Sequence, residues 1–171
     1  IGCLYIDDSD KIWASSNNLF SYDNNEWQSY STSNSMVPSN YVYDISINNL
    51  GVWIAGDGGG ISNFYEENWT NINPSNSELP FPYITALKAH PDGTIWAGVA
   101  HHGIVCIDGT NITMYNTDNS EIPTNNVSRI ELDRNGNIWV AFRPEDNKPG
   151  GFAVFNGYFW TSYTSENSEL Q

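Results

Sequence analysis

Ile130-Glu131-Leu132-Asp133-Arg134-Asn135-Gly136-Asn137-Ile138-Trp139 alternates apolar and polar residues, breaks at a polar turn, and resumes with an Ile-Trp pair. Alternation on both sides of a tight turn is the pattern of a β-hairpin. The apolar-Trp pair recurs as Ile12-Trp13, Val52-Trp53 and Ile95-Trp96, so successive tryptophans stand 40 to 43 residues apart. Each pair follows a turn: Asp8-Ser9-Asp10-Lys11, Asn48-Asn49-Leu50-Gly51, Pro91-Asp92-Gly93-Thr94 or Asp133-Arg134-Asn135-Gly136. Before each turn lies a short strand carrying Leu4 and Ile6, Ile45 and Ile47, Leu87 and Ala89, or Ile130 and Leu132.

The same register holds beyond the hairpin. A third strand reads Leu19-Phe20-Ser21-Tyr22, Ile61-Ser62-Asn63-Phe64, Ile104-Val105-Cys106-Ile107 or Phe152-Ala153-Val154-Phe155. A fourth reads Trp27-Gln28-Ser29-Tyr30, Trp69-Thr70-Asn71-Ile72, Ile112-Thr113-Met114-Tyr115 or Trp160-Thr161-Ser162-Tyr163. Each unit closes on Asn34-Ser35-Met36-Val37-Pro38, Asn76-Ser77-Glu78-Leu79-Pro80, Asn119-Ser120-Glu121-Ile122-Pro123 or Asn167-Ser168-Glu169-Leu170. Residues 1–171 therefore divide into four repeats, near 1–38, 39–80, 81–123 and 124–171. Four strands in about 42 residues, with no helical period between them, is the length of one propeller blade. The chain is expected to be all-β, with four consecutive four-stranded antiparallel blades. Trp13, Trp53, Trp96 and Trp139 are expected to be structural, each packing its blade on the next.

Composition agrees with sheet and excludes several functions. Seven Trp, ten Tyr and seven Phe stand among 171 residues, which favours pleated surfaces over helix. Six basic against twenty acidic residues give a formal charge of −14. Such a chain cannot displace counterions from a phosphate backbone, so no nucleic-acid partner is expected. Cys3 and Cys106 occupy non-equivalent repeat positions and are expected to be free. No apolar run is long enough to cross a bilayer as a helix.

The combined pattern resembles the two-component regulator propeller repeat. Its elements are the apolar strand, a Pro-Asp-Gly or Arg-Asn-Gly turn, Ile-Trp, a Gly-apolar strand, Trp-x-x-Tyr, and Asn-Ser-x-Leu-Pro. The likeness covers essentially the whole chain. It implies the extracytoplasmic sensor region of a bacterial hybrid histidine kinase, in a periplasmic or extracellular setting, with a part in glycan sensing. Secreted proteins without a kinase carry similar repeats. Members of this family commonly have about seven repeats per propeller, so four blades are expected to be an arc of a larger ring. The flanks left open would meet remaining blades of a parent chain or a second copy of this arc, which makes a homodimer one expected assembly.

Candidate ligand-binding residues follow from blade geometry. Connections from second to third strand, and from fourth strand to the next first strand, share the face around the channel mouth. The second-to-third loops are Asp57-Gly58-Gly59-Gly60, His101-His102-Gly103 and the long Arg143 to Gly151 segment; they vary while the strands do not. On the innermost strands, aligning the tryptophans puts Cys3, Asp44, Ala86 and Arg129 in one column and Gly2, Tyr43, Thr85 and Ser128 in the next. Asp44 and Arg129 suit a polar ligand. Tyr41, Phe81 and Tyr83, on the loops entering first strands, have faces on which sugar rings stack. The candidate set is thus Tyr43, Asp44, Asp57, Tyr83, His101, His102, Arg129 and Arg143, for an oligosaccharide or another polar small ligand.

No metal site or cofactor is expected. His101 and His102 are consecutive, so on a strand they would point to opposite faces. The turn from Asp133 begins like a calcium loop, but Ile138-Trp139 replaces the later ligands. Asn68-Trp69-Thr70, Asn111-Ile112-Thr113 and Asn126-Val127-Ser128 fit the glycosylation pattern at a frequency an Asn-rich chain reaches by chance. The chain lacks Gly-x-Ser-x-Gly, a phosphate-cradling loop and His-Glu-x-x-His. Streptogramin-lyase propellers share a turn like Pro91 to Trp96, and there His101 or His102 with Asp57 would have to supply base and metal acid. The expected role is therefore non-catalytic ligand sensing; the alternative is an interaction or dimerisation scaffold of a secreted protein.

Overall fold

The structure, a computed structural model, describes residues 2–170. Ile1 and Gln171, the ends of the 1–171 segment, lie outside the described residues. Blade 1 is β1 (Leu4–Ile6), β2 (Ile12–Ser15), β3 (Leu19–Asp23) and β4 (Glu26–Tyr30), and blade 2 is β5 (Val42–Asn48), β6 (Gly51–Gly56), β7 (Ile61–Tyr65) and β8 (Asn68–Ile72). Blade 3 is β9 (Ile84–Ala89), β10 (Ile95–Val99), β11 (Gly103–Asp108) and β12 (Asn111–Tyr115). Blade 4 is β13 (Val127–Leu132), β14 (Ile138–Phe142), β15 (Gly151–Phe155) and β16 (Trp160–Thr164). Each blade is an antiparallel meander in sequence order, and the first strands lie next to one another. The expected all-β arc of four consecutive blades is what forms, with no helix among the described residues.

In blades 1, 2 and 4 one side chain closes the first hairpin and also serves its tryptophan. Asp7 Oδ1 accepts the Ser9 and Lys11 N–H groups at 2.9 and 3.0 Å, and its Oδ2 accepts Trp13 Nε1–H at 3.4 Å. Asn48 Oδ1 does both jobs for Leu50 N–H and Trp53 Nε1–H, at 3.0 and 3.1 Å. Asp133 repeats the arrangement, with Trp139 Nε1–H at 3.1 Å. Donors from the Asn137 side chain above all, and from Trp139 and the turn amides, hold its carboxyl at about 2. In blade 3 His90 stands in that column, and Thr94 Oγ1 takes Trp96 Nε1–H instead, at 3.2 Å. The indole N–H of the second-strand tryptophan thus finds a partner in every blade, whereas the buried Trp160 Nε1–H in the junction of blades 3 and 4 has none among the described residues.

The Asn-Ser element is a clamp with a plug. Asn119 Oδ1 accepts Asn116 N–H at 2.9 Å while its Nδ2 donates to Met114 O at 2.9 Å. Asn34, Asn76 and Asn167 make the same two bonds, and the following Ser35, Ser77, Ser120 and Ser168 donate to the carbonyl four residues back. Pinned in this way, the linker drives Val37, Leu79 and Ile122 into the cores between blades. The tryptophans complete those cores. Trp13 meets Phe64 of blade 2 at 5.8 Å, and Trp96 meets Phe155 and Trp160 of blade 4 at 5.4 and 6.2 Å. Trp139 differs, because among the described residues no blade follows it, and it is 39% exposed.

That difference sets an expected outcome. Trp96→Ala should cost about 3–5 kcal/mol, the range for emptying a buried aromatic site, whereas Trp139→Ala should cost less than half as much; urea midpoints of the two variants check it. Asn119→Ala removes both clamp bonds in an exposed setting and should cost about 1 kcal/mol, lowering the melting temperature by roughly 2–4 °C.

Candidate functional site

The innermost strand of a blade has one edge with no strand beyond it, so its outward amides need partners. Blade 2 supplies them to blade 3. Asp44 Oδ2 accepts Leu87 N–H at 3.0 Å and Ser46 Oγ accepts Ala89 N–H at 2.9 Å. Ser15 Oγ donates to Val42 O at 3.2 Å between blades 1 and 2. Burial raises the Asp44 carboxyl above its ordinary value, an effect opposed by the Leu87 amide and the Arg129 charge.

These strands enclose a cavity of about 770 Å³, lined by side chains of β1, β5, β9 and β13 and by Arg143. Within it Glu131 is gripped from both sides. Lys88 Nζ lies 2.5 Å from its Oε2, and Arg129 Nε and Nη2 donate to Oε1 at 3.0 and 2.8 Å. Burial disfavours the Glu131 charge, but the two cations outweigh it and hold the carboxyl below its usual range. Lys88, Arg129 and Arg143 are half of the six basic residues in a chain of net charge −14. Among the described residues Arg143 has no salt-bridge partner within 4.0 Å. The channel thus concentrates donors that can engage a carboxylate or several hydroxyls.

The rim above the cavity is aromatic. Register shifts in β5, β9 and β13 leave Tyr43, Thr85 and Ser128 as the extra residue near the mouth end of each strand, the position at which a bulge re-aims a side chain. Thr85 and Ser128 donate back to their own sheets, to Gly98 O at 3.3 Å and Ala141 O at 3.0 Å. Tyr43 reaches Asp57 instead; burial first, then the charge and hydrogen bond of Asp57, raise its phenol. Phe81 packs on Tyr83 at 5.1 Å and stacks on His102 at 5.1 Å and 21°. The loop Gly58-Gly59-Gly60 runs at φ of 85°, 78° and 83°. A Cβ on Gly59 would lie 2.0 Å from Pro38 O, whereas one on Gly58 would only touch the Tyr83 ring at 3.8 Å.

The structure therefore brings most of the candidates together. Tyr43, Asp44, Arg129 and Arg143 line the cavity, and Asp57, Tyr83 and His102 stand at its rim. His101 takes another course: at φ 60° it is exposed and pairs through Nδ1 with Glu145 Oε1 at 3.2 Å, while Glu145 Oε2 accepts Asn125 N–H. No group of three or more His, Cys, Asp and Glu side chains among the described residues could hold a metal ion. Sequence reasoning missed Lys88 and Glu131. Their signal was the column opposite the tryptophans, Tyr5, Ser46, Lys88 and Glu131, which also faces the cavity.

Comparison with known proteins bears on the repeat. Residues 121–143, from the third plug through β13 to the start of the long loop, match the family described as two component regulator propeller. No curated protein matches the sequence. Among solved structures, the extracellular domain of the putative hybrid two component system BT3049 from B. thetaiotaomicron superposes with a TM-score of 0.76 at 22% identity, covering 96% of this chain and 23% of that one. The extracellular domain of the putative one component system BT4673 from the same organism gives 0.75 at 19% identity, over 96% and 24%. PorZ, a surface component of the type-IX secretion system of Porphyromonas gingivalis, gives 0.72 at 13%, over 91% and 25%. At these identities the likeness is one of fold, and the chain spans about a quarter of the length of each.

The gripped carboxylate carries a pH signature. With its folded pKa below the ordinary 4.5, Glu131 adds stability that is present above that value and is lost as pH falls through the folded one. Wild type should exceed Glu131→Gln by under about 1 kcal/mol near neutrality, since the pair is half exposed. The gap should narrow progressively below pH 4.5, as read from urea midpoints across an acid series.

Proposed function

We propose that this chain, of which residues 121–143 match the two component regulator propeller family, is a non-catalytic, ligand-sensing propeller segment of an extracytoplasmic bacterial receptor. Its ligand is an oligosaccharide held at the channel mouth. The observation that carries this reading is the combination at one place of flat aromatic faces and a polar, cation-bearing channel. Tyr43, Phe81 and Tyr83 are 48%, 37% and 42% exposed at the rim, and a sugar ring presents C–H faces to such rings while its hydroxyls seek charged partners below. Arg129, Lys88 and Arg143 meet those hydroxyls, and Arg143, without a salt-bridge partner, favours a sugar acid over a neutral unit.

What the polar groups do supports the non-catalytic reading. Asp44 is occupied by the Leu87 and Ile45 amides and Glu131 by two cations. His102 Nδ1 lies 2.7 Å from Ala100 O. Neither histidine stands in the arrangement that a base and a metal-held acid would require. The extracellular domains that share this fold support the extracytoplasmic setting. Signal output in this reading belongs to segments joined to the propeller in the receptor.

Calorimetric titration of the folded chain with neutral and uronic-acid oligosaccharides tests the proposal. Tyr83→Ala should weaken binding by about 1 kcal/mol, roughly fivefold. Arg143→Ala should cost roughly tenfold, about 1.5 kcal/mol, for the acidic members alone. A folded chain that binds no member of the panel would sink the reading, and binding unchanged in Asp44→Ala and Arg129→Ala would remove those two residues from the site.

A further inference from the structure

Glu131 lies where the carboxylate of an acidic ligand would be held. Arg129 turns its Nε–Nη2 edge, the fork that matches a carboxylate, onto Glu131 Oε1, and Lys88 Nζ engages Oε2. Arg129 and Glu131 are two positions apart on β13 and share its lumen face. Lys88 reaches them from β9, the inner strand of the blade before. The contact is thus made between two adjacent blades of this chain, whatever adjoins them. Both cations already hold an anion, and it is the chemical group that a sugar acid carries.

The charges of the cavity show what this contact does. Lys88, Arg129 and Arg143 face Asp44 and Glu131 there. Asp44 is committed to the Leu87 and Ile45 amides, so Glu131 is the carboxylate that answers the cations directly. A ligand carboxylate arriving at Lys88 and Arg129 has to displace one of equal charge, and an exchange of like for like yields little net attraction. Sugar hydroxyls accept more weakly than an ionised carboxylate and leave Glu131 where it is. Entry of an acid group therefore depends on contacts made elsewhere in the same ligand. The rim supplies them, with Phe81 packed on Tyr83 at 5.1 Å and Tyr43 anchored beside Asp57.

Building on an oligosaccharide site at the channel mouth, we infer that Glu131 is an internal stand-in for the ligand's carboxylate. It sets the specificity of the channel by competition: an acid group enters when it belongs to an oligosaccharide whose neighbouring ring stacks at the rim, and a free sugar acid is turned away. The same residue keeps Lys88 and Arg129 paired when no ligand is bound, so two cations are not left facing each other in a partly desolvated space. The cavity of about 770 Å³ gives the displaced side chain room to turn aside.

Titrating wild type and Glu131→Gln with free glucuronate, a glucuronate-containing oligosaccharide and its neutral counterpart tests this. Glu131→Gln keeps the size and one acceptor oxygen while removing the charge, and circular dichroism should show both proteins equally folded. The variant should bind the acidic oligosaccharide roughly tenfold tighter than wild type does, and free glucuronate by a similar factor. The neutral oligosaccharide, which displaces nothing, should gain far less. Glu131→Asp, which keeps the charge, should restore the selectivity of wild type. Lys88→Met should weaken acid binding more in the Glu131→Gln background than in wild type, because only there is its charge free for the ligand. Acid affinity that is unchanged or lower in Glu131→Gln, while wild type still binds, would overturn the stand-in role and leave the mouth site standing. An equal gain for acidic and neutral ligands would overturn it too. A panel that binds neither protein would sink both.

Discussion

A four-stranded blade is a sheet with apolar side chains on both faces, and neither face is stable in water. Everything else in this chain follows from that constraint. Each junction needs a large, flat, rigid side chain to span the gap between twisted sheets, and tryptophan meets the need with little rotamer entropy lost. The indole N–H would be costly if left unpaired in such a place. The turn residue five or six positions earlier therefore carries an acceptor in blades 1, 2 and 4, and in blade 3 the acceptor moves to Thr94. The linker answers the same constraint from the outer side, where the Asn clamp spends its hydrogen bonds on fixing the backbone so that one aliphatic side chain reaches the core.

Inner strands face a different problem, an unpaired edge around a wet channel. Polar side chains serve there as structural partners: Asp44 and Ser46 on β5, and Ser15 on the neighbouring β2, each complete a hydrogen bond across a blade boundary. The channel can therefore be polar without loss of stability, and charges not consumed by backbone remain directed at its interior. Lys88, Glu131 and Arg129 form such a set, held by mutual attraction in a partly desolvated space.

The fold was legible because its cause is periodic. Ile-Trp after a polar turn, repeated in one register with three further strands, left one arrangement that gives every copy an equivalent place in its blade. The site was legible in part. Columns drawn from the tryptophans put Asp44, Arg129 and Tyr43 on the channel side, as the structure has them. Two things escaped that reading. The column opposite each tryptophan was not singled out, because its mixture of Tyr, Ser, Lys and Glu shows no period, and this hid Lys88 and Glu131. The occupation of Asp44 by Leu87 N–H involves residues 43 positions apart and depends on how closely two blades approach. His101 was placed with His102 because both lie on a second-to-third-strand loop, but a left-handed backbone at that position sends the two side chains to different neighbours.

The same linkers that seal the junctions also build the rim. Leu79 plugs the space between blades 2 and 3, and Phe81 and Tyr83 follow it within four residues on a segment stiffened by Pro80 and Pro82. Gly60 N–H donates to Pro82 O at 2.9 Å, and Ala100 N–H to Tyr83 O at 3.0 Å, so this segment is fastened to the blade on either side. Anything that presses on the Phe81-Tyr83-His102 cluster therefore loads the hydrophobic junction directly beneath it. Packed interiors resist gradual deformation, so a load on one linker passes to the relative setting of adjacent blades more readily than it dissipates within one. In an arc whose blades touch only their neighbours, the aromatic cluster at the mouth and the packing of the junctions are in this way joined through a few residues.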